Sequence, residues 1–376
     1  MDIEISITLF YLLVTNKWGN NIMGKATIDD VAILAGVSIK TVSRVINKEG
    51  NVRAKTRERV LEAVRSLQYQ PSQSARGLAG NRSYMIGMIY SHLSPGYLMD
   101  VQQGVLKTCN ETHYGLALGP IDHKSDDAAQ KLESWLRRSG VDGVVLTPPF
   151  GSDPTVIEVL KHTGTPAIAL SEHALDNVSS VTVDEVSAAR DLTRHLIREG
   201  HTRIAFIKGE DDHQSSTLRL QGFKEEMKEH DLKVEDTLIA SGDFTYEGSF
   251  GAIESLLNAQ KSVSAVFAAN DDMAAAVLSI AHKRGIKVPD ELAVVGFDNS
   301  PIAAQVWPAL TTVDQPVEAM ASLASEQLIK MIKAPVKRGD QDTSMSVTQE
   351  HEDSSDYAQT VVPYSMHVRR SSGIFE

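Results

Sequence analysis

Thr27-Ile28-Asp29-Asp30-Val31-Ala32-Ile33-Leu34-Ala35-Gly36-Val37-Ser38-Ile39-Lys40-Thr41-Val42-Ser43-Arg44-Val45-Ile46-Asn47 is the stretch whose reading decides the fold. Thr27 with Asp30 three residues on is a helix-start signal, a hydroxyl cap answered by an acid. Ile28, Val31, Ala32 and Ala35 then fall on one helical face. Gly36 can take the left-handed conformation that a tight turn requires, so the helix is expected to end there. Ser38 caps a second helix, in which Val42, Val45 and Ile46 point inward. Ile39, Lys40, Ser43, Arg44 and Asn47 are left on its open face. Two short helices joined by a glycine turn, the second with a hydrogen-bonding outer face, describe a helix-turn-helix.

The residues that follow favour this reading over a merely solvated helical hairpin. Arg53, Lys55, Arg57, Arg59 and Arg65 belong to a third amphipathic helix with Val60, Val64 and Leu67 as its core face. Beyond Tyr69 and Pro71 comes a small-residue segment, Ser72 to Ala79, too short for a stable isolated helix and carrying a lone Leu78. From Lys25 to Arg82 there are eleven Lys/Arg and five Asp/Glu, whereas the 376-residue chain as a whole has a net charge of −12. A basic module on an acidic body suits a DNA binder, because only the docking face must neutralise phosphates.

Thr27 to Asn47, together with Thr56-Arg57, Tyr69, Pro71 and Ala75-Arg76-x-Leu78, resembles the headpiece of the lactose-repressor (LacI/GalR) family of bacterial regulators. The resemblance implies a second helix in the major groove, with Ile39, Lys40 and Arg44 at base-reading positions. It also implies a segment at 71–83 that becomes a hinge helix on operator DNA, where Leu78 wedges between base pairs from the minor groove. The DNA-contacting set is then Thr27, Ser38, Ile39, Lys40, Thr41, Ser43, Arg44, Asn47, Arg76 and Leu78.

From Tyr84 onward, short apolar strands alternate with amphipathic helices. A first set of strands is expected at 86–90, 115–118, 143–146, 167–170 and 181–183, and a second at 204–207, 238–241, 265–268, 292–295 and 310–313. Repeated βα units of this length build parallel sheets covered on both faces. Two sets give two lobes, and ligands bind outside the carboxyl ends of parallel strands. The expected fold is therefore a small all-α headpiece (residues 25–70) and an α/β body (84–376). By resemblance the body is a two-lobed, periplasmic-binding-protein-like fold. Lobe 1 is expected at about 84–184 and 314–336, and lobe 2 at about 185–313 and 359–376. An acidic, polar insert at 337–358 is read as a mobile loop.

Within the body, Arg219-Leu220-x-Gly222-Phe223, Ala269-Asn270-Asp271 and Val295-Gly296-Phe297-Asp298 match family landmarks. Arg219, expected to open a helix, and Asp298, at a strand end, both fall at edges facing a cleft. There they could hold adjacent sugar hydroxyls in a donor–acceptor grip; the competing reading is a surface ion pair. Resemblance favours the grip, adds Phe244 as a ring stacked on the ligand (against a core phenylalanine), and leaves Asn270 as a helix cap with a possible cleft contact. Ser94-Pro95-Gly96-Tyr97 replaces the family's Asn-Pro-Phe-Phe, with Tyr97 supplying the aromatic wall. Asp184-Glu185 replaces Asp-Asn. Both departures bear on which ligand is bound.

The single cysteine, Cys109, excludes an intrachain disulfide and a cysteine-rich zinc site, and reads as buried and inert. Asp211, Asp212 and His213, like His351, Glu352 and Asp353, lack orderly ligand spacing and read as solvated loops, so no metal or cofactor is expected. No nucleophile elbow, phosphate loop or dinucleotide fingerprint occurs, so catalysis has no candidate. Ile5 to Val14 is too short to span a bilayer, and its acidic flank argues against a signal peptide. Residues 1–24 read as a disordered extension, and the compartment as the cytoplasm. The expected protein is a homodimeric repressor of a near-palindromic operator, controlled by a small metabolite of the sugar class. A solute-binding protein of sugar uptake is the rival, opposed by the headpiece.

Overall fold

The computed structural model describes residues 26–46, 50–69, 82–171, 178–259, 262–334 and 358–373. The expected hinge residues Arg76 and Leu78, the open-face Asn47, the extension 1–24 and the insert up to 357 lie outside these. The chain divides into two compact units, up to Arg82 and from Ser83.

The first unit holds three helices, α1 (Ile28–Ala35), α2 (Ile39–Ile46) and α3 (Ala54–Ser66). Thr27 and Asp30 form a reciprocal capping box: the Asp30 N–H donates to the Thr27 hydroxyl, and the Thr27 N–H donates to the Asp30 carboxylate at 2.8 Å. Gly36 closes α1 with φ 62°, the left-handed conformation that a side chain would strain. Val31, Ala35, Val42, Val45, Val60 and Ala63 make a shared core, closed by Tyr69. Ile46, Val64 and Leu67 pack at its margin, half-buried.

The second unit contains two six-stranded sheets. The first has the order β11-β5-β4-β3-β1-β2, all parallel: β1 (Met85–Tyr90), β2 (Gly115–Pro120), β3 (Gly143–Leu146), β4 (Ala167–Ala169), β5 (Ser179–Thr182) and β11 (Gln359–Val361). Strand alternation buries both of its faces. Ile86, Met88 and Val145 meet α4 (Pro95–Thr112) and α12 (Val317–Lys333), while Ile89, Val144 and Leu146 meet α5 (Ala128–Ser139) and α6 (Pro154–Thr163). Cys109 is buried on the α4 side, and burial pushes its thiol up to about 11, so it stays a neutral core group.

The second sheet has the order β12-β10-β9-β8-β6-β7: β6 (Ile204–Lys208), β7 (Ile239–Ser241), β8 (Ala265–Ala268), β9 (Ala293–Asp298), β10 (Thr311–Asp314) and β12 (Ser365–His367). Only β12 runs antiparallel to its neighbour. The helices α7 (Glu185–Arg198), α8 (Gln214–Glu229), α9 (Phe250–Ala259), α10 (Asp271–Lys283) and α11 (Pro301–Gln305) complete this lobe. Phe206, Phe223 and Phe267 form its aromatic centre, with ring centroids 4.9–6.3 Å apart.

Two expectations need correction. The closing segment does not belong wholly to lobe 2, because Gln359–Val361 adds an edge strand to the first sheet, and only Ser365–His367 reaches the second. Three residues with no helical commitment, among them Pro363, suffice to cross between the lobes. Arg219 does not open a helix: α8 starts at Gln214, so Arg219 lies in its second turn.

Helices α4 and α12 approach closely at Gly104. A Cβ placed there would lie 2.2 Å from the Glu318 carbonyl oxygen and 2.8 Å from the Ala321 Cβ. Thr108 ties the same seam by donating to the Ser322 carbonyl at 3.0 Å. Gly104→Ala is therefore expected to force the helices apart and cost about 1–3 kcal/mol, as overpacked cores do. A denaturant midpoint equal to that of the wild type would show that the seam yields without strain.

Candidate functional site

On α2, Val42 and Val45 are turned into the headpiece core, which leaves Ile39, Lys40, Ser43 and Arg44 around the other side of the cylinder. Ile39 is 46% exposed despite being apolar. Ser38 accepts from the Thr41 N–H at 3.3 Å, and the two hydroxyls lie 3.0 Å apart, so both are engaged in starting the helix. Thr27 is likewise held by its capping box. A helix with its N-terminal turn free of acids and with Lys40 and Arg44 one turn apart offers positive charge and forked donors along one edge.

In the body, the carboxyl ends of strands from both sheets converge on one cleft. The loop after β1 brings Ser94, and the first turn of α4 brings Tyr97. The loops after β6, β7 and β8 bring His213, Phe244 and Asn270, the end of β9 brings Asp298, and α8 brings Arg219. All of these line one cavity. A second cavity, which Tyr97 also lines, includes Glu185, Ser171, Gln214 and Gln315.

Arg219 and Asp298 are only 4% and 9% exposed, which removes the surface ion-pair reading. Nor do they face the cavity as an uncommitted pair. Glu185, the departure noted in the sequence, binds the Arg219 guanidinium through both oxygens, at 2.7 and 3.2 Å. A third bond runs from Arg219 to the Ala269 carbonyl, and the guanidinium lies 3.7 Å above the Phe297 ring. Asp298 stands 3.5 Å from the same guanidinium and accepts from Gln315 at 2.6 Å. Burial disfavours the Arg219 charge, but Glu185 and Asp298 more than offset this and hold its pKa above the ordinary value. The Tyr97 hydroxyl is pushed up by burial and by the carboxylates of Asp298 and Glu185, so it remains a neutral donor.

Asn270 caps α10 by accepting from the Met273 N–H at 3.0 Å, while its amide donates to the Phe244 carbonyl at 2.9 Å. It thereby fixes the loop that presents the Phe244 ring. Phe244 (φ 63°) and Asp298 (φ 109°) both hold backbone conformations that residues with side chains seldom take. Strain of this kind gathers where a site over-determines the chain.

Burial pushes the Asp298 carboxyl up to about 7, against the pull of Arg219 and with a further push from Glu185. Its ordinary value is 3.8, so as pH rises from about 4 to about 7 the unfolded chain releases this proton while the folded one keeps it. Stability from this group is full below pH 4 and is lost through pH 7. Asp298→Asn is expected to remove that downward slope from a plot of unfolding free energy against pH. An identical slope in wild type and variant would assign the dependence to other groups.

The lobes also meet at the mouth of the cleft, through contacts between residues far apart in the chain. His123, in the loop after β2, places Nε2 2.8 Å from the Asp212 carboxylate of the other lobe. Lys124 donates to Glu210 at 2.6 Å, and the Ser171 hydroxyl donates to Gln214 at 3.0 Å. Of the loop read as solvated, Asp211 and Asp212 are exposed, but His213 is buried, and its Nδ1 lies 2.9 Å from the second Asp212 oxygen. His123 and Asp212 are 89 positions apart, so no local spacing could reveal them.

Residues 27–72 match the bacterial regulatory proteins of the lacI family, and residues 193–351 match a periplasmic binding protein-like domain. The ribose operon repressor of Escherichia coli (strain K12) is 34% identical over 311 residues, which span 82% of this chain and 94% of that protein. The chain belongs to the LacI family. As a LacI-family member it is a transcriptional regulator built on a DNA-binding headpiece, and not an enzyme. A solved complex of the transcriptional regulator CelR with cellobiose is 30% identical and superposes with a TM-score of 0.67, covering 92% of this chain and 99% of that one. The lac repressor dimer bound to operator and the anti-inducer ONPF is 25% identical, with a TM-score of 0.72 and coverage of 93% and 99%. Among the described residues of this LacI-family regulator, no helix is long and apolar enough to cross a membrane.

Proposed function

We propose that this regulator is a cytoplasmic homodimeric repressor whose operator affinity is set by a neutral sugar held between its lobes. The observation that carries this is the charge of the cleft: the buried Arg219 guanidinium is already paired with the Glu185 carboxylate, and the Asp298 carboxyl stands beside it. An added phosphate or carboxylate would find the Arg219 charge already neutralised in a desolvated site, where an uncompensated anion is costly. Hydroxyls can instead donate to Asp298 and accept from Tyr97 and Arg219, with Phe244 and Tyr97 covering the apolar faces of a ring.

In this reading Lys40 and Arg44 contact base edges of a near-palindromic site, with Ile39 against a thymine methyl, while Thr27, Ser38, Thr41, Ser43, Asn47 and Arg76 address the backbone and its margins. Leu78 is the minor-groove wedge. The sugar acts by favouring one arrangement of the lobes; moving an equilibrium from nearly all bound to nearly all free takes about 5.5 kcal/mol of differential binding. Neither metal nor cofactor enters this step.

Fluorescence anisotropy of the full chain on DNA from upstream of its own gene tests the proposal. Sub-micromolar binding is expected, and it should shift with one or more neutral pentoses, hexoses or disaccharides and not with sugar phosphates or uronates. A shift caused only by an anionic sugar would overturn the neutral-ligand reading, and the absence of specific DNA binding would overturn the whole.

A further inference from the structure

We propose that His123, Glu210 and Asp212 form a site for a zinc-like divalent cation that joins the two lobes at the mouth of the cleft, outside the sugar cavity. One donor atom from each of the three lies within 4.8 Å of the others. Nitrogen and oxygen donors on zinc, bound at about 2.0–2.2 Å, stand roughly 3.4 Å apart, so small side-chain adjustments would close the shell. One imidazole with two carboxylates is a borderline donor set, suited to zinc over calcium or magnesium.

Two features separate this cluster from an ordinary acidic surface. First, the imidazole comes from one lobe and the carboxylates from the other, so the site exists only when the lobes are together. Second, the outer contacts needed to orient such ligands are present. The His123 Nδ1 lies 2.7 Å from the Ser91 hydroxyl, which can hold the tautomer that leaves Nε2 for a metal. The far oxygen of Asp212 is held by the buried His213. The Asp212 carboxyl would be raised by burial, yet the hydrogen bonds from His213 and His123 hold it below its ordinary value, so it is an anion. Around the cluster stand the carboxylates of Asp122, Glu210, Asp211 and Asp212 and the ammonium groups of Lys124 and Lys208, leaving net negative charge for a dication.

Metal entry exchanges one set of contacts for another. The neutral His123 ring would carry its one proton on Nδ1, toward the Ser91 hydroxyl, and give the Nε2 lone pair to the ion in place of its contact with Asp212, and the Lys124 ammonium would release Glu210. Protons compete with the ion for these donors, so binding weakens as pH falls. The consequence is a regulator whose lobe arrangement is reinforced by metal at a site separate from the sugar cavity.

Titration calorimetry of the full chain with zinc chloride alone tests this. Wild type is expected to bind zinc, and His123→Ala and Asp212→Asn to bind at least tenfold more weakly. Both positions are in loops, and circular dichroism should show both variants folded. Hydrogen exchange adds a readout of bridging: zinc should slow exchange at residues 122–125 and 209–213 together in wild type and at neither in His123→Ala. Zinc binding of wild-type strength in both variants would overturn the site. Slowing confined to residues 209–213 would reduce it to a one-lobed surface contact and overturn the bridge.

Discussion

Arg219→Ala is expected to lower the stability of the body by about 3–5 kcal/mol and to weaken effector binding by one to two orders of magnitude. The first figure is the usual cost of removing one partner from a buried ion pair, because the other is left charged and unsolvated. Here the Glu185 carboxylate would be stranded, since both of its oxygens bind the guanidinium. The second follows from the loss of charge-assisted hydrogen bonds worth about 1.5–3 kcal/mol each. The two effects can be parted. Arg219→Ala combined with Glu185→Gln removes the stranded charge, so it should regain much of the stability while leaving ligand binding poor. Urea unfolding and calorimetry with the sugar found by the DNA-binding screen would read the two quantities. Wild-type values in the single variant for both would mean that Arg219 neither holds the cleft nor touches its ligand.

Arg44→Ala is expected to cost about 1–3 kcal/mol on the specific operator and far less on random DNA. Arg44 lies one helical turn from Lys40, on the side of α2 away from Val42 and Val45, and its guanidinium can make a paired contact to guanine O6 and N7. Loss of such a contact relaxes selectivity at one base pair, whereas loss of a phosphate contact weakens all sequences alike and lowers the salt dependence. Anisotropy on operator and scrambled duplexes, each at two salt concentrations, distinguishes them. Equal losses on both duplexes would make Arg44 a backbone contact.

How much of this could be read from residues alone depends on the range of the interactions concerned. The headpiece is local. Its capping box, its glycine turn and the Val42/Val45 face each span fewer than five positions, and the structure shows all three. The βα alternation was legible for the same reason, since each strand and helix carries its own period. Helix α12 escaped the strand-by-strand reading although Met320, Ala321, Ala324 and Leu328 bear a helical period, because the segment follows the last expected strand and precedes a polar insert. The cleft residues were reached through family resemblance and Glu185 only as a departure from the family pattern, whereas the pairings among them were not reached at all. Glu185 is 34 positions from Arg219, and Gln315 is 17 from Asp298. Lys124 is 86 from Glu210. Such pairs are created by topology, and a pattern confined to neighbours cannot register them.

The chain crosses between the lobes three times, after β5, after β10 and between β11 and β12. During synthesis this imposes an order of events. Each sheet lacks an edge strand until residues 359–367 have emerged from the ribosome, so neither lobe can be finished ahead of the other. The headpiece, complete by Tyr69, can fold some three hundred residues earlier. A nascent chain would thus carry a formed DNA-reading module before it has a complete sensing body. Truncation at residue 358 should leave both lobes frayed and open to proteolysis while sparing the headpiece.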